Sequence, residues 1–312
     1  MELVELGDSG LRVSRVGLGC NNFGARIDSE RTRAVVEAAL EVGITFFDTA
    51  DVYGGGGGSE RMLGEILAGR RDSVVLATKF GYDATDSFSP RGSPENVRRS
   101  IDGSLERLRT DYVDLYYLHS PDPMTPIGET LSALDELVRA GKVRAIGCSN
   151  VSAERLAEAD AVAREGGMTR FTAVQNEYNL LERRDDADVL PLCRELGIGY
   201  VPYFPLASGL LTGKYRPGTP VPEGARLAGR ELDEKQVDRV EMLAHFAEER
   251  GRTVLELAIS ALASTAAIAS VIAGATTPEQ VRANAAAGGW HLSEQELDQL
   301  SGLAHLSELS EL

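Results

Sequence analysis

Four side chains in this sequence have the types needed to deliver a proton to a carbonyl: Asp48, Tyr53, Lys79 and His119. A phenol ordinarily titrates near 10, so at neutral pH it is a weak acid that needs help. A neighbouring ammonium favours the phenolate and draws that value down, and a carboxylate holds the ammonium in place. An imidazole can hydrogen-bond the carbonyl oxygen and orient it. Lysine is scarce enough here to carry meaning, since of 32 basic residues only Lys79, Lys142, Lys214 and Lys235 are lysine. A chain that uses arginine wherever a surface charge suffices keeps lysine where a proton must be exchanged. Taken singly, each residue has a plainer explanation. A histidine at a strand end is usually structural, and an aspartate there usually caps the next helix. The chemistry requires all four to face one cleft.

The elements that would do this are short apolar runs alternating with helical patterns. A hairpin comes first, with Leu3 to Leu6 and Leu11 to Val16 flanking Gly7-Asp8-Ser9-Gly10. Strand candidates then follow at Val16–Cys20, Thr45–Thr49, Val74–Thr78, Leu115–Leu118, Ala145–Cys148, Ala173–Gln175, Tyr200–Tyr203 and Ser270–Ile272. Helix-period segments such as Ser29–Leu40, Pro94–Leu108 and Gly128–Ala140 separate them. This alternation predicts an α/β chain with a parallel sheet, and eight units are the count of a (β/α)₈ TIM barrel. Residues 1–312 read as a single such domain, with one long insertion after the seventh strand, Leu206 to Leu232, rich in glycine and proline.

Working residues of such a barrel lie just past the carboxyl ends of its strands. Those positions hold Asp48, Lys79, His119, Ser149-Asn150, Gln175-Asn176 and Tyr203, with Tyr53 in the loop after Asp48. The other histidines, His245, His291 and His305, fall in the C-terminal helical part and give no metal-ligand set. Ser149 has no G-x-S-x-G context for nucleophilic hydrolysis. A proton-donating set without metal or nucleophile needs electrons from elsewhere, and a nicotinamide hydride is the natural source.

The run "DTADVYGGGGGSE", Asp48 to Glu60, invites a phosphate-binding reading that it does not meet. A P-loop needs lysine and a hydroxyl residue after its last glycine, whereas Gly58 is followed by Ser59 and Glu60. G-x-G-x-x-G fails in every frame, and after Gly17 and Gly19 the third place is held by Asn22. The glycines are expected to turn the loop behind Tyr53 and bind nothing. Ser59 is expected to N-cap a helix over Arg61–Leu67.

Composition narrows the class. A net charge of −16, from 32 basic and 48 acidic residues, argues against nucleic acid and anionic membrane as partners. Cys20, Cys148 and Cys193 are too scattered for a disulfide framework or metal cluster. The N-terminus, MELVELGDSG, has acids where a signal peptide needs a basic region. Leu257 to Ala275 carries no charge, but its alanine and serine suit a buried helix and strand better than a membrane span. A cytoplasmic location is expected.

With these residues in place, the chain resembles the aldo-keto reductases over essentially its full length, nearest those related to potassium-channel β subunits. "GITFFDTADVYG", "ATKFG" and "DLYYLHSPD" match the family's segments that carry the acid and tyrosine, the lysine and the histidine. The resemblance implies Tyr53 as general acid, with Lys79, Asp48 and His119 completing a tetrad. "CSN" and "VQNEYNLLER" imply Ser149, Asn150 and Gln175 at the nicotinamide amide. "PYFPLASGLLTGKY" implies Tyr203 under the ring and Leu206, Ser208, Leu210 and Lys214 along the pyrophosphate. "VIAGATTPEQVRANAAA" implies Thr276, Gln280 and Asn284 at the adenosine phosphate, and Arg226 is a further phosphate candidate.

Two departures stand out. Gln280 occupies the place where many members keep an arginine for the 2′-phosphate, and Ala283 replaces a glutamate that touches adenine. NADPH (NADP) remains the expected cofactor, with NAD as the alternative. The expected activity is reduction of a small-molecule aldehyde or ketone. A cofactor-holding regulatory subunit, or a sugar or alcohol dehydrogenase running oxidatively, are the other readings; the lack of a long N-terminal extension favours the enzyme. A short-chain dehydrogenase is excluded, because the chain has neither the glycine fingerprint nor Tyr-x-x-x-Lys. Substrate choice is expected from Asn22, Phe23, the stretch Phe80–Ser93 and the segment around Trp290, with Phe23, Tyr82 and Phe88 as an apolar wall.

Overall fold

The computed structural model describes all residues except 83–89, 216–226, 229–232 and 310–312, and of 304–309 the backbone alone. An antiparallel hairpin of β1 (Leu3–Glu5) and β2 (Arg12–Ser14) leads into eight parallel strands. These are β3 (Val16–Gly19), β4 (Phe46–Asp48), β5 (Val75–Phe80), β6 (Val113–Leu118), β7 (Val143–Ser149), β8 (Phe171–Gln175), β9 (Gly199–Tyr200) and β10 (Val271–Gly274). Their order is sequential, with β10 pairing to β3. A parallel bridge closes the ring: Tyr200 donates its N–H to Ala267 and accepts from Ala269, both at 2.8 Å. This is the (β/α)₈ barrel that the alternation predicts.

The barrel interior is packed, not open. Phe46, Ala77, Leu115, Tyr117, Ala145, Ala173 and Ile272 point inward from six strands and bury one another together with Leu6, Leu11 and Val13 of the hairpin. The hairpin thus plugs the amino-terminal mouth. Ser14 fastens it there, its Oγ accepting from the N–H groups of Thr45 and Phe46 at the start of β4. Chemistry is left the other mouth.

Local sequence sets the surrounding helices. Pro94–Leu108 begins after Ser93, whose Oγ accepts from the Asn96 N–H, and has proline in its first turn, where a missing N–H costs nothing. Val97, Ile101, Ser104 and Leu108 fall on one face and are buried. Each large aliphatic among them contributes roughly 1.5–3 kcal/mol by leaving water, so a charge at Ile101 would undock the helix.

Three boundaries differ from expectation. β9 stops at Tyr200 and does not reach Tyr203, although the Val201 and Tyr203 N–H groups still bond the Val174 and Asn176 carbonyls. Pro202 has no N–H for the neighbour on its other side, where Tyr200 bonds Ala267. Tyr203 keeps only a single bridge to Glu177. The helix after the glycine run starts at Gly58 with Gly57 as its cap, so Ser59 is not the cap. Its buried hydroxyl instead accepts from Thr49 Oγ1 at 2.8 Å and donates to the Cys20 carbonyl at 3.0 Å, tying two mouth loops together. The uncharged stretch from Leu257 becomes the end of helix Val254–Ser264 and β10. Among the described residues no helix is long and apolar enough to cross a membrane.

Candidate active site

Asp48 ends β4, Lys79 is the next-to-last residue of β5, and His119 directly follows β6, so three adjacent strands deliver three of the four side chains to one mouth. Tyr53 arrives from the loop after β4. Gly54 to Gly57 have φ between 70° and 85°, a backbone open to glycine and strained for other residues. A Cβ on Gly54 would also stand 2.5 Å from the Phe23 carbonyl oxygen. The run therefore folds back on itself directly behind the phenol.

Lys79 is fully buried, and its Nζ donates to Asp48 Oδ1 at 2.5 Å, to the Thr49 carbonyl at 2.9 Å and to the Tyr53 hydroxyl at 3.3 Å. Asp48 Oδ2 accepts from Gln175 Nε2 at 2.8 Å. The Tyr53 ring meets His119 edge-on, with centroids 5.8 Å apart, and Tyr82 covers the imidazole from another side at 4.8 Å.

Burial governs the electrostatics. It pushes the Tyr53 phenol above its ordinary value, with the nearby Lys79 ammonium pulling down without prevailing. This reverses the expectation that lysine would lower it, because sequence shows the cation but not the loss of water. For Lys79 burial alone would depress the ammonium, yet the charges and hydrogen bonds of Asp48 and Tyr53 outweigh it and hold the value up. Burial, then the Lys79 charge, drop His119 to about 2, so its imidazole is neutral. His119 Nδ1 is buried and makes no hydrogen bond.

A cleft of about 1170 Å³ opens from this group. Ser149, Asn150, Gln175 and Tyr203 line it beside Asp48 and Tyr53. Asn150 holds the left-handed region at φ 58° and donates Nδ2 to the His119 carbonyl at 2.8 Å, while its Oδ1 accepts from the Tyr203 hydroxyl at 2.8 Å. Ser149 Oγ donates to the Gln175 carbonyl at 2.6 Å. Farther along, Leu206, Ser208 and Lys214 form one wall and Thr276, Gln280 and Asn284 another. The second wall is the start of helix Pro278–Ala287, whose first-turn N–H groups and dipole favour an anion. Gln280 Oε1 accepts from the Thr276 N–H at 2.8 Å. Amide-pairing groups at one end, with a lysine and a helix N-terminus at the other, suit an extended dinucleotide.

Some expected residues lie elsewhere. Leu210 is buried against Leu180, Tyr215 and Phe246 and does not line the cleft, because its turn points it inward. Phe23 is fully buried in the helix-facing core and forms no substrate wall. Trp290 packs beside the cluster of Leu292 and Leu300. Arg226 and Phe88 lie outside the described residues. Arg26, in the loop between β3 and the helix from Ser29, and Leu255, in helix Val254–Ser264, line the cleft without having been anticipated; neither stands directly at a strand end.

Comparison with known proteins bears on this geometry. The model of the aldo/keto reductase family matches residues 15–305. An uncharacterized oxidoreductase, YrpG, of Bacillus subtilis is 38% identical over 297 residues, covering 90% of this chain and 89% of that protein. A probable voltage-gated potassium channel subunit beta of Oryza sativa subsp. japonica is 36% identical, covering 91% and 90%. The L-glyceraldehyde 3-phosphate reductase of Escherichia coli K12 is also 36% identical, covering 89% and 85%.

Proposed function

The chain belongs to the aldo/keto reductase family of oxidoreductases, and from that premise we propose that it reduces an aldehyde or ketone with NADPH, Tyr53 giving the proton. The observation that carries this is the Lys79 ammonium bonded at once to Asp48 and to the Tyr53 hydroxyl. When bound, the nicotinamide supplies a hydride to the carbonyl carbon.

The rest falls to the chain's own residues. Ser149, Asn150 and Gln175 hold the carboxamide, Tyr203 lies under the ring, Leu206, Ser208 and Lys214 follow the pyrophosphate, and Thr276, Gln280 and Asn284 take the adenosine end. With Nδ1 buried and unbonded, the imidazole proton of His119 is assigned to Nε2, where it can meet a substrate oxygen. Neutral His119 then orients the carbonyl, and Tyr53 protonates its oxygen. A phenol held above its ordinary value stays protonated until that moment. The phenolate left behind sits 3.3 Å from the Lys79 ammonium, which stabilises it.

The test is turnover of a panel of aldehydes and ketones with NADPH and with NADH, beside a fluorescence titration with each. No response to either cofactor would defeat the oxidoreductase reading. A second reading, a cofactor-holding subunit that acts by docking to a partner, is supported by the channel-subunit relative at the same 36% identity as the reductase relative. Cofactor binding without turnover of any carbonyl would favour it.

A further inference from the structure

Beneath the Tyr53 loop lies a buried charged group outside the proton-transfer set. Glu60, in the first turn of helix Gly58–Ile66, has no exposed surface, and a carboxylate so far from water needs full compensation. Two donors supply it: Thr78 Oγ1 reaches Oε1 at 2.6 Å, and Arg107 Nε reaches Oε2 at 2.6 Å. Thr78 immediately precedes Lys79 on β5, while Glu60 opens the helix that follows the Tyr53 loop. The two bonds therefore meet where the strand carrying the ammonium and the loop carrying the phenol come together.

Arg107 gets there through a slot that holds no side chain. A Cβ on Gly57 would collide with Arg107 Cδ and Nε, and one on Gly103 would stand 2.9 Å from Nη1. The glycine run thus has a second duty. Besides turning the chain behind Tyr53, its fourth member leaves room for the guanidinium.

A second acid borders the pair. The Asp51 N–H donates to the Lys79 carbonyl at 3.1 Å, and its Oδ1 is buried without a hydrogen bond, as is the Tyr116 hydroxyl. Burial first, then the charge of Glu60, push the Asp51 carboxyl up to about 7, with Arg107 and Lys79 pulling the other way. The Arg107 charge thus acts on both acids, on Glu60 through the ion pair and on Asp51 through space.

We propose that Arg107 is a positioning residue for the proton donor: its ion pair with Glu60 clamps the Tyr53 loop onto β5 and sets the separation of the Tyr53 hydroxyl from the Lys79 ammonium. The proposal rests on the reading of Tyr53 as donor. Without Arg107, Glu60 is a buried, unpaired carboxylate that must take up a proton or move toward water. Either change slackens the contact with Thr78 and the turn behind Tyr53. A displacement of about 1 Å at a reacting group costs on the order of 10²-fold in rate.

The experiment compares wild type, Arg107→Leu and Arg107→Lys well below their melting temperatures. In Arg107→Leu, kcat should fall by about 10²-fold with NADPH affinity unchanged, since Arg107 does not line the cleft. Arg107→Lys, which keeps a cation in the slot, should recover part of the loss. A normal kcat with only a lowered Tm would reduce the pair to a structural staple and overturn the proposal. The clamp can also be read without turnover. The isotope-labelled tyrosine NMR signal of Tyr53, assigned by its loss in Tyr53→Phe, should shift in Arg107→Leu as the ammonium beside it moves. An unmoved signal overturns the proposal even if the wild type reduces no carbonyl, so its failure is distinct from that of the reductase reading. If Arg107→Leu does not fold, Gly103→Ala, on helix Pro94–Leu108 and outside the Tyr53 turn, crowds the guanidinium at Nη1 with its charge retained, and the Tyr53 signal must then shift in that variant.

Discussion

Gln175 Nε2 donates to Asp48 Oδ2 at 2.8 Å, while Lys79 Nζ takes the other oxygen of the same carboxylate at 2.5 Å. β8 and β4 stand opposite one another in the ring of strands, so this bond crosses the barrel mouth. It joins the proton-transfer group to the wall proposed to hold the nicotinamide. Gln175→Leu would leave a buried carboxylate oxygen without its donor. We expect a stability loss of about 1–3 kcal/mol, seen as a lower Tm, together with weaker NADPH binding and a lower kcat. If kcat at saturating NADPH were untouched, Asp48 would not need the amide.

The positions of Asp48, Lys79 and His119 were legible because each ends a short apolar run, and the alternation of such runs with helices implies a barrel whose strand ends share one mouth. Other features lie in three-dimensional contacts that no local pattern encodes. Glu60 and Arg107 are 47 residues apart, and nothing in either neighbourhood marks them as partners. Ser59 has the residue type of a cap, but the positive φ of Gly57 lets the helix start earlier and frees the hydroxyl for Thr49 and Cys20. The Tyr53 phenol was expected to titrate low from its cation alone. Its burial, a property of the whole mouth, decides the direction instead.

Asp51 should make stability fall as pH rises. Burial and the Glu60 charge push its carboxyl up from 3.8 to about 7, so the folded state binds the proton more tightly. Stability from that protonation is fully present below the unfolded value and is lost as pH climbs through about 7. Asp51→Asn keeps the shape and has no charge to bury beside Glu60, with Arg107 and Lys79 the cations facing it. The variant should gain Tm at about pH 8 and less at about pH 5, which lies between the unfolded and folded values. An equal gain at both would mean that Asp51 is already ionised at the lower pH.

The histidine should contribute no limb to the pH profile. Depressed from 6.5 to about 2, His119 stays neutral throughout the working range. Its effect on stability has the opposite sign to that of Asp51: neutral burial is favourable above the unfolded value and is progressively lost as pH drops below it. The plot of kcat against pH should therefore show no inflection near 6.5 that His119→Gln removes. Such an inflection, present in the wild type and absent in the variant, would mean that the imidazole titrates in the cleft.

Tyr53→Phe separates proton donation from packing. The ring keeps its edge-on contact with His119, and only the hydroxyl that Lys79 touches at 3.3 Å is lost. Fold and NADPH affinity should be nearly unchanged, while carbonyl reduction falls by about 10²–10⁴-fold, the range for a general acid. Lys79→Arg should also be severe although it preserves charge. The lysine side chain is fully buried and its single nitrogen bonds Asp48, Thr49 and Tyr53 at once, a geometry that a planar guanidinium cannot reproduce in the same space. Stopped-flow reduction with one aldehyde, together with a fluorescence titration of NADPH, measures both quantities for each variant. Near-full turnover in Tyr53→Phe would move the proton source to another group and leave the Lys79 bond to the phenol without a catalytic purpose.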